Sequence, residues 1–137
     1  MEALQRTTHK HRIVLNIPES SAIITADREK VAQVLANLVS NAIKYSPQKG
    51  EIKITLAKTR EGLQISVQDQ GIGIPKQSLD KIFGRFYRVR NPQVDTFPGM
   101  GLGLYIAASI IQQHGGKIWV ESQANKGTTF YFLLPYN

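Results

Sequence analysis

The chain has 137 residues, with 17 Lys and Arg against 10 Asp and Glu, three His and no Cys. At roughly 100–200 residues per domain this is one domain, and it can bury about two-thirds of its unfolded surface, enough for its own core. The absence of Cys excludes disulfides, thiolate zinc sites and cysteine nucleophiles, and fits a reducing compartment. No apolar run approaches the ~18 residues of a membrane span. The start MEALQRTTHK lacks the apolar core of a signal peptide, so a cytoplasmic chain is expected. A net charge of +7 points to polyanionic partners: nucleic acid, anionic membrane or nucleotide phosphate.

Residues 1–10 are polar and aperiodic and read as a disordered start, with a single domain over 11–137. His11 to Pro18 alternates apolar and polar as a strand does, and Ala22 to Thr25 reads as a second short strand. Asp27 is a suitable N-cap for a helix in which Val31, Val34, Leu35, Leu38 and Ala42 recur at helical spacing. That helix runs to about Tyr45, because Pro47 cannot continue it. Glu51 to Thr59 and Leu63 to Val67 alternate as strands, with Arg60-Glu61-Gly62 as the hairpin turn. A glycine-rich stretch at 69–73 leads to a short helix around Ser78 to Phe83.

Residues 84–101 carry Gly84, Pro92, Pro98, Gly99 and Gly101 with little periodicity. A connection that long inside a compact domain is usually functional. A second long helix, Leu102 to Gln113, is stopped by Gly115-Gly116, and His114 in its last turn suits a helix C-terminus. Lys117 to Ser122 and Thr128 to Leu134 close the chain as two strands. About five strands and two long helices, mostly in hairpins, predict an α+β sandwich: helices on one face of a mixed, mostly antiparallel sheet.

Four segments carry chemistry. Asn37, Asn41 and Lys44 share one helix stripe flanking the apolar face. The stripe reads either as a solvated flank or as two amides and an ammonium turned to a ligand; an amide oxygen suits Mg2+ and a lysine suits phosphate. Asp69-Gln-Gly71-Ile-Gly73 follows a strand. It is an ordinary turn, or a carboxylate beside glycines that let a ligand approach backbone. Gly99-Met-Gly101-Leu-Gly103-Leu104 opens a helix, where free N–H groups favour phosphate. It is neither a Walker A loop nor the dinucleotide fingerprint. Gly127-Thr128-Thr129-Phe130 opens the last strand.

Taken in order, these segments resemble the ATP-binding domain of sensor histidine kinases, in the superfamily shared with gyrase, a heat-shock chaperone and mismatch-repair ATPases. Asn37 to Ser46 resembles the family's N box, Asp69 to Gly73 its G1 box, and Phe83 to Arg88 its F box. Gly99 to Leu104 resembles its G2 box and Gly127 to Phe130 its last glycine motif. The resemblance covers roughly residues 12–135 and implies a Bergerat-type two-layer fold, ATP and Mg2+ as cofactors, and protein-histidine kinase chemistry.

It implies roles residue by residue. Asn41 is the Mg2+ ligand, Asn37 supports metal or phosphate, Lys44 contacts phosphate and Tyr45 borders the ribose region. Asp69 binds the adenine amine, with Gly71 and Gly73 giving space beside the ring. Gly101, Leu102, Gly103 and Leu104 wrap the phosphates by backbone N–H groups. Arg88 reaches the terminal phosphate from a lid over about 84–100, anchored by Phe83 and Phe86. Thr128 holds a water between Asp69 and adenine. Gly84 stands where the family commonly has an acidic residue, which loosens the lid's first anchor.

A histidine kinase also needs a phosphoacceptor His on a long helical hairpin. His9 and His11 have only eight and ten residues before them and no acidic-apolar-basic-x-Pro pattern after them. The chain therefore reads as the catalytic module of a larger kinase, itself monomeric. Its partners are ATP or ADP, the phosphoacceptor-histidine domain of the parent, and indirectly a response regulator. The parent is free to be membrane-anchored. A self-contained ATPase of the same superfamily is disfavoured, because the position of its water-activating Glu is Asn37, and an amide has no useful basicity. A nucleic-acid-binding module is disfavoured because the basic residues are spread along the chain. Their densest cluster, Lys76, Lys81, Arg85, Arg88 and Arg90, falls at the lid. The intact motifs argue against a non-catalytic scaffold.

Overall fold

The computed structural model describes residues 11–16, 26–44, 50–74, 76–84, 103–123 and 126–136. Strand β1 (His11–Asn16) precedes helix α1 (Arg28–Lys44), which leads to strands β2 (Gly50–Lys58) and β3 (Gly62–Asp69). Helix α2 (Gly103–Gln113) then leads to strands β4 (Lys117–Gln123) and β5 (Gly127–Pro135). The sheet order is β1-β2-β3-β5-β4, with β1 parallel to β2 and every other pairing antiparallel. The expected mixed α+β sandwich is what the chain forms. The expected strand at 22–25 lies outside the described residues, as does the lid beyond Gly84.

Each helix buries one face on the sheet. Val34, Leu38, Val39 and Ala42 of α1 are fully buried, and Val31 and Leu35 pack against that core half-buried. Helix α2 contributes Leu104, Ala107, Ile110 and Ile111. The sheet answers with rows read from its register: Val67 beside Phe130 beside Val120, and Ile65 beside Phe132 beside Ile118. The alternating pattern of each strand puts these residues on the helix side, because successive side chains point to opposite faces. On the opposite side Trp119 stacks on its cross-strand neighbour Tyr131 at 5.2 Å.

One element differs from the sequence expectation. In place of a helix over Ser78 to Phe83 there is a 3-10 turn at Lys76–Ser78, continued by turns to Gly84. The segment is too short to build a helical ladder, and tertiary packing fixes it instead. Ile82 is buried, and Phe83 meets Phe130 edge-to-face at 6.1 Å. Phe83 thus packs on the core from a turn; the lid it is expected to anchor, and Phe86, lie outside the described residues.

Three glycines show why the closing hairpin needs them. Gly115 adopts φ +74° just past α2. Its N–H and that of Gly116 donate to the carbonyls of Gln112 and Ile111, at 3.0 and 2.9 Å. This paired closure satisfies two carbonyls that the helix leaves open. Gly127 adopts φ +96°, and a Cβ there would collide with the carbonyl oxygen of Asp69. The last strand thus lies against the end of β3 only because position 127 has no side chain.

Candidate nucleotide site

The site is built where the strand ends meet the two helices. Asp69 is the last residue of β3, and the register sets it directly beside Thr128 on β5, which lies beside Ser122 on β4. These three polar residues continue, at the strand ends, the apolar rows described above. Asp69 and Thr128 are each only 2 % exposed.

Asp69 is a buried carboxylate with one satisfied oxygen. Its Oδ1 accepts from the Gly71 N–H at 2.8 Å, which closes the turn at the start of the glycine stretch. Its Oδ2 is buried with no partner. Burial pushes the carboxyl from its ordinary 3.8 up to about 6, against smaller lowering by the nearby backbone N–H groups, that of Gly71 foremost. A buried acceptor without a partner is unfavourable by ~1–3 kcal/mol, and a donor brought to it relieves that cost. An exocyclic amine is such a donor.

Ser122 ties the far end of the same stretch. Its Oγ accepts from the Ile74 N–H at 2.8 Å and donates to the carbonyl of Gly127 at 2.9 Å. With its proton so used, it accepts from the Thr128 hydroxyl at 2.9 Å. The segment Asp69 to Ile74 is thus held at both ends, with Gly73 at φ +77° between them. Sequence reading missed Ser122. The available signal was the period-2 run Ile118-Val120-Ser122, which places Ser122 on the helix side with Thr128. A cavity of about 240 Å3 opens at these strand ends, lined by Asp69, Glu121, Ser122, Lys126, Gly127 and Thr128. It is smaller than the ~300–1,000 Å3 of a typical small-molecule pocket.

Helix α1 brings the amides. Asn37, Asn41 and Lys44 are all half-buried on its flank, beside the buried stripe, as the helical spacing implies. The Asn37 Nδ2 donates to the carbonyl of Gly103, the first residue of α2, at 3.1 Å. That contact spans 66 residues of sequence. Asn41 has a buried Nδ2 with no partner. Lys44 closes α1 and makes an interaction of its own. Gly103 opens α2 and is exposed, whereas the Leu104 side chain is buried in the core, which leaves only its backbone to face outward. Tyr45, Arg88, Gly101 and Leu102 lie outside the described residues.

The donor set fits Mg2+ in one specific way. Among the described residues no three of His, Asp and Glu come together as a metal cage. Mg2+ is usually held by one or two protein oxygens together with substrate phosphates and water. Asn41 is half-buried, and its amide oxygen is the atom that fits such a site; its buried, unpaired Nδ2 is a donor and could meet only an acceptor such as a phosphate oxygen or a water.

A family model described as "Histidine kinase-, DNA gyrase B-, and HSP90-like ATPase" matches residues 26–137. The chain is similar to sensor histidine kinase WalK of Bacillus subtilis (strain 168), 43% identical over 139 residues, covering 99% of this chain and 23% of that protein. Among solved structures it superposes on a mycobacterial sensor histidine kinase, MprB, with TM-score 0.85 and 27% identity, covering 98% of this chain and 89% of that one. It also superposes on full-length ShkA in complex with AMPPNP, with TM-score 0.83 and 28% identity, covering 98% of this chain and 28% of that one. The chain thus spans about a quarter of the length of WalK and of ShkA.

Proposed function

Because the chain belongs to the family of histidine kinase-, DNA gyrase B-, and HSP90-like ATPases, we propose that it binds Mg-ATP and donates the γ-phosphoryl group to a histidine on a separate dimerisation and phosphoacceptor domain. The observation that carries the reading is the buried Asp69 with an open Oδ2, set beside Thr128 at the strand ends. It is a hydrogen-bond acceptor waiting for a donor, at the position where the adenine amine belongs. ATP binding also draws support from the AMPPNP complex of ShkA, and kinase chemistry from the name of WalK.

The roles follow from the placement of each group. Asp69 accepts from the base, and Thr128 holds a water beside it. Asn41 ligates Mg2+, which when bound neutralises charge on the phosphates. Lys44 and the N–H groups at the start of α2 add positive potential along the triphosphate. Asn37 is an amide held to Gly103 and has no useful basicity with which to activate water. That favours transfer to an imidazole nitrogen, which attacks the γ-phosphorus as ADP leaves and then releases its proton to solvent. Catalysis is then chiefly positioning and charge neutralisation. Residues 84–100 act as the lid, with Arg88 closing on the terminal phosphate.

The acceptor histidine belongs to another domain of the same parent kinase, and a response regulator receives the phosphoryl group downstream. No described helix is long and apolar enough to cross a membrane, and the reading places this domain on the cytoplasmic side. Titration with a fluorescent ATP analogue, with and without Mg2+, tests the binding step. Saturable binding strengthened by Mg2+ and displaced by ATP is expected. Failure to bind in both conditions would contradict the proposal.

A further inference from the structure

The far ends of the two helices meet at His114. Its Nε2 accepts from the backbone N–H of Asp27 at 3.0 Å, and its Nδ1 lies 2.8 Å from the carbonyl of Ile110. Nε2 therefore carries no proton, and Nδ1–H donates to Ile110: the ring is neutral, in the Nδ1–H form. Asp27 caps α1, with its Oδ1 accepting from the Lys30 N–H at 3.2 Å. In a reciprocal capping box a Glu or Gln at that third helical position would return a bond to the cap's own N–H. Here the residue is Lys30, which has no acceptor, and the partner comes from α2, 87 residues away in sequence.

The helix pair is antiparallel, because the end of α2 meets the start of α1 while Gly103 meets Asn37. Two polar links, separated by ten residues of α1 or roughly 15 Å, tie its opposite ends. Core packing holds the two helices together, and the two directional links add a constraint on axial register that apolar contact alone supplies weakly.

We infer that His114 is a positioning residue: by bridging α2 to the cap of α1 it sets the register that holds the start of α2 against Asn37, one turn before Asn41 on α1. The consequence for nucleotide binding rests on the reading above; the bridge itself does not. The two amide substitutions separate the ring's two bonds. His114→Gln carries an amide oxygen near the Nε2 position and keeps an acceptor for Asp27. His114→Asn carries its amide near the Nδ1 position and keeps only the bond to Ile110.

The test measures hydrogen exchange at the Asp27 amide and the affinity for a fluorescent ATP analogue with Mg2+, well below the melting temperature of each variant. The expected result is wild-type-like protection and affinity in His114→Gln. In His114→Asn the Asp27 protection is lost and affinity falls roughly three- to tenfold, the worth of one hydrogen bond. Nitrogen-15 spectra of the unsubstituted protein should show a protonated Nδ1, a readout independent of any variant's folding. A protonated Nε2, or equal Asp27 protection in both variants, would overturn the bridge. Lost protection with unchanged affinity would reduce His114 to a structural cap. If the unsubstituted protein binds no nucleotide, the functional reading fails, and the exchange and spectra still decide the bridge.

Discussion

The side chain of Asn37 holds the first residue of α2 by its backbone, Nδ2 donating to the Gly103 carbonyl at 3.1 Å. Two segments that the sequence keeps 66 residues apart are thereby one device. The helix with the amides cannot shift without moving the helix start proposed above to face phosphate. A Cβ at Gly103 would lie 3.9 Å from the Asn37 Cγ, an ordinary contact, so the hydrogen bond rather than crowding sets the spacing. Asn37→Ala should lower stability by about 1 kcal/mol, the net worth of such a bond, and weaken Mg-ATP binding several-fold. Denaturant melts beside nucleotide titrations check both. Unchanged affinity in a folded Asn37→Ala would separate this contact from the site.

Asp69 trades stability for binding. Its carboxyl titrates near 6 in the folded chain against 3.8 ordinarily, so between those values the folded state holds more protons than the unfolded one. Stability contributed by the protonated form is therefore lost as pH rises from about 4 through 6, up to roughly 3 kcal/mol. Asp69→Asn removes the charge without changing shape. It should raise the melting temperature at pH 7–8, with the gain shrinking below pH 5, while ATP affinity falls at least tenfold. An Asp69→Asn protein less stable than the parent at pH 8 would contradict the burial argument.

In the proposed role the same carboxylate would give base selectivity and a pH limit. It would accept from an amine at the purine 6-position and would face the carbonyl oxygen of guanine. Two acceptors opposed in a buried site leave each unmatched, at ~1–3 kcal/mol, so ATP should be preferred over GTP by roughly tenfold or more. Because only the ionised form serves, affinity for ATP should be flat above pH 7 and weaken below about 6. Competition titrations across pH read both; equal displacement by GTP and ATP would remove Asp69 from base recognition.

How much of this was legible beforehand differs by element. The periodicity of Val31 to Ala42 gave α1 and its buried face, and alternation gave the two hairpins. The order of strands in the sheet was not legible. It depends on β5 entering between β3 and β4, a matter of long-range packing that no local pattern encodes. That insertion is what places Thr128 beside Asp69. The turn over 76–84 was misread as helix because its apolar residues, Leu79, Ile82 and Phe83, have helical spacing while the segment is held by tertiary contacts. The Ser122 bond to Ile74, 48 residues away, and the His114 bridge to Asp27, 87 residues away, escaped because those partners are distant in sequence.

Asn41 predicts the opposite sign from an ordinary buried polar residue. Its Nδ2 is buried without a partner, so Asn41→Ala removes an unsatisfied group and should leave the melting temperature unchanged or slightly raised. Mg2+-dependent strengthening of ATP binding should vanish. Asn41→Asp should also harm binding, because it adds a full negative charge beside the triphosphate. Unfolding of Asn41→Ala, with metal-dependent binding otherwise normal, would make the residue structural.

Ser122→Ala should release the Ile74 N–H and the Thr128 hydroxyl together. Leaving a buried donor unmatched is worth about 1–3 kcal/mol, seen as a lower denaturation midpoint, and the loop from Asp69 to Ile74 should exchange its amide hydrogens faster. Ser122→Thr, which keeps the hydroxyl, should restore most of both. Exchange across that loop unchanged in Ser122→Ala would show it is held by other contacts.

Transfer of label from γ-labelled ATP tests the central claim most directly. The chain is incubated with Mg2+ and an added phosphoacceptor-histidine domain from the same parent kinase. Acid-labile label should accumulate on the added domain and not on this chain, and should be lost with Asp69→Asn or Asn41→Ala. Release of free phosphate at the same rate without the acceptor, or acid-labile labelling of this chain alone, would contradict a module that donates its phosphoryl group to a separate histidine.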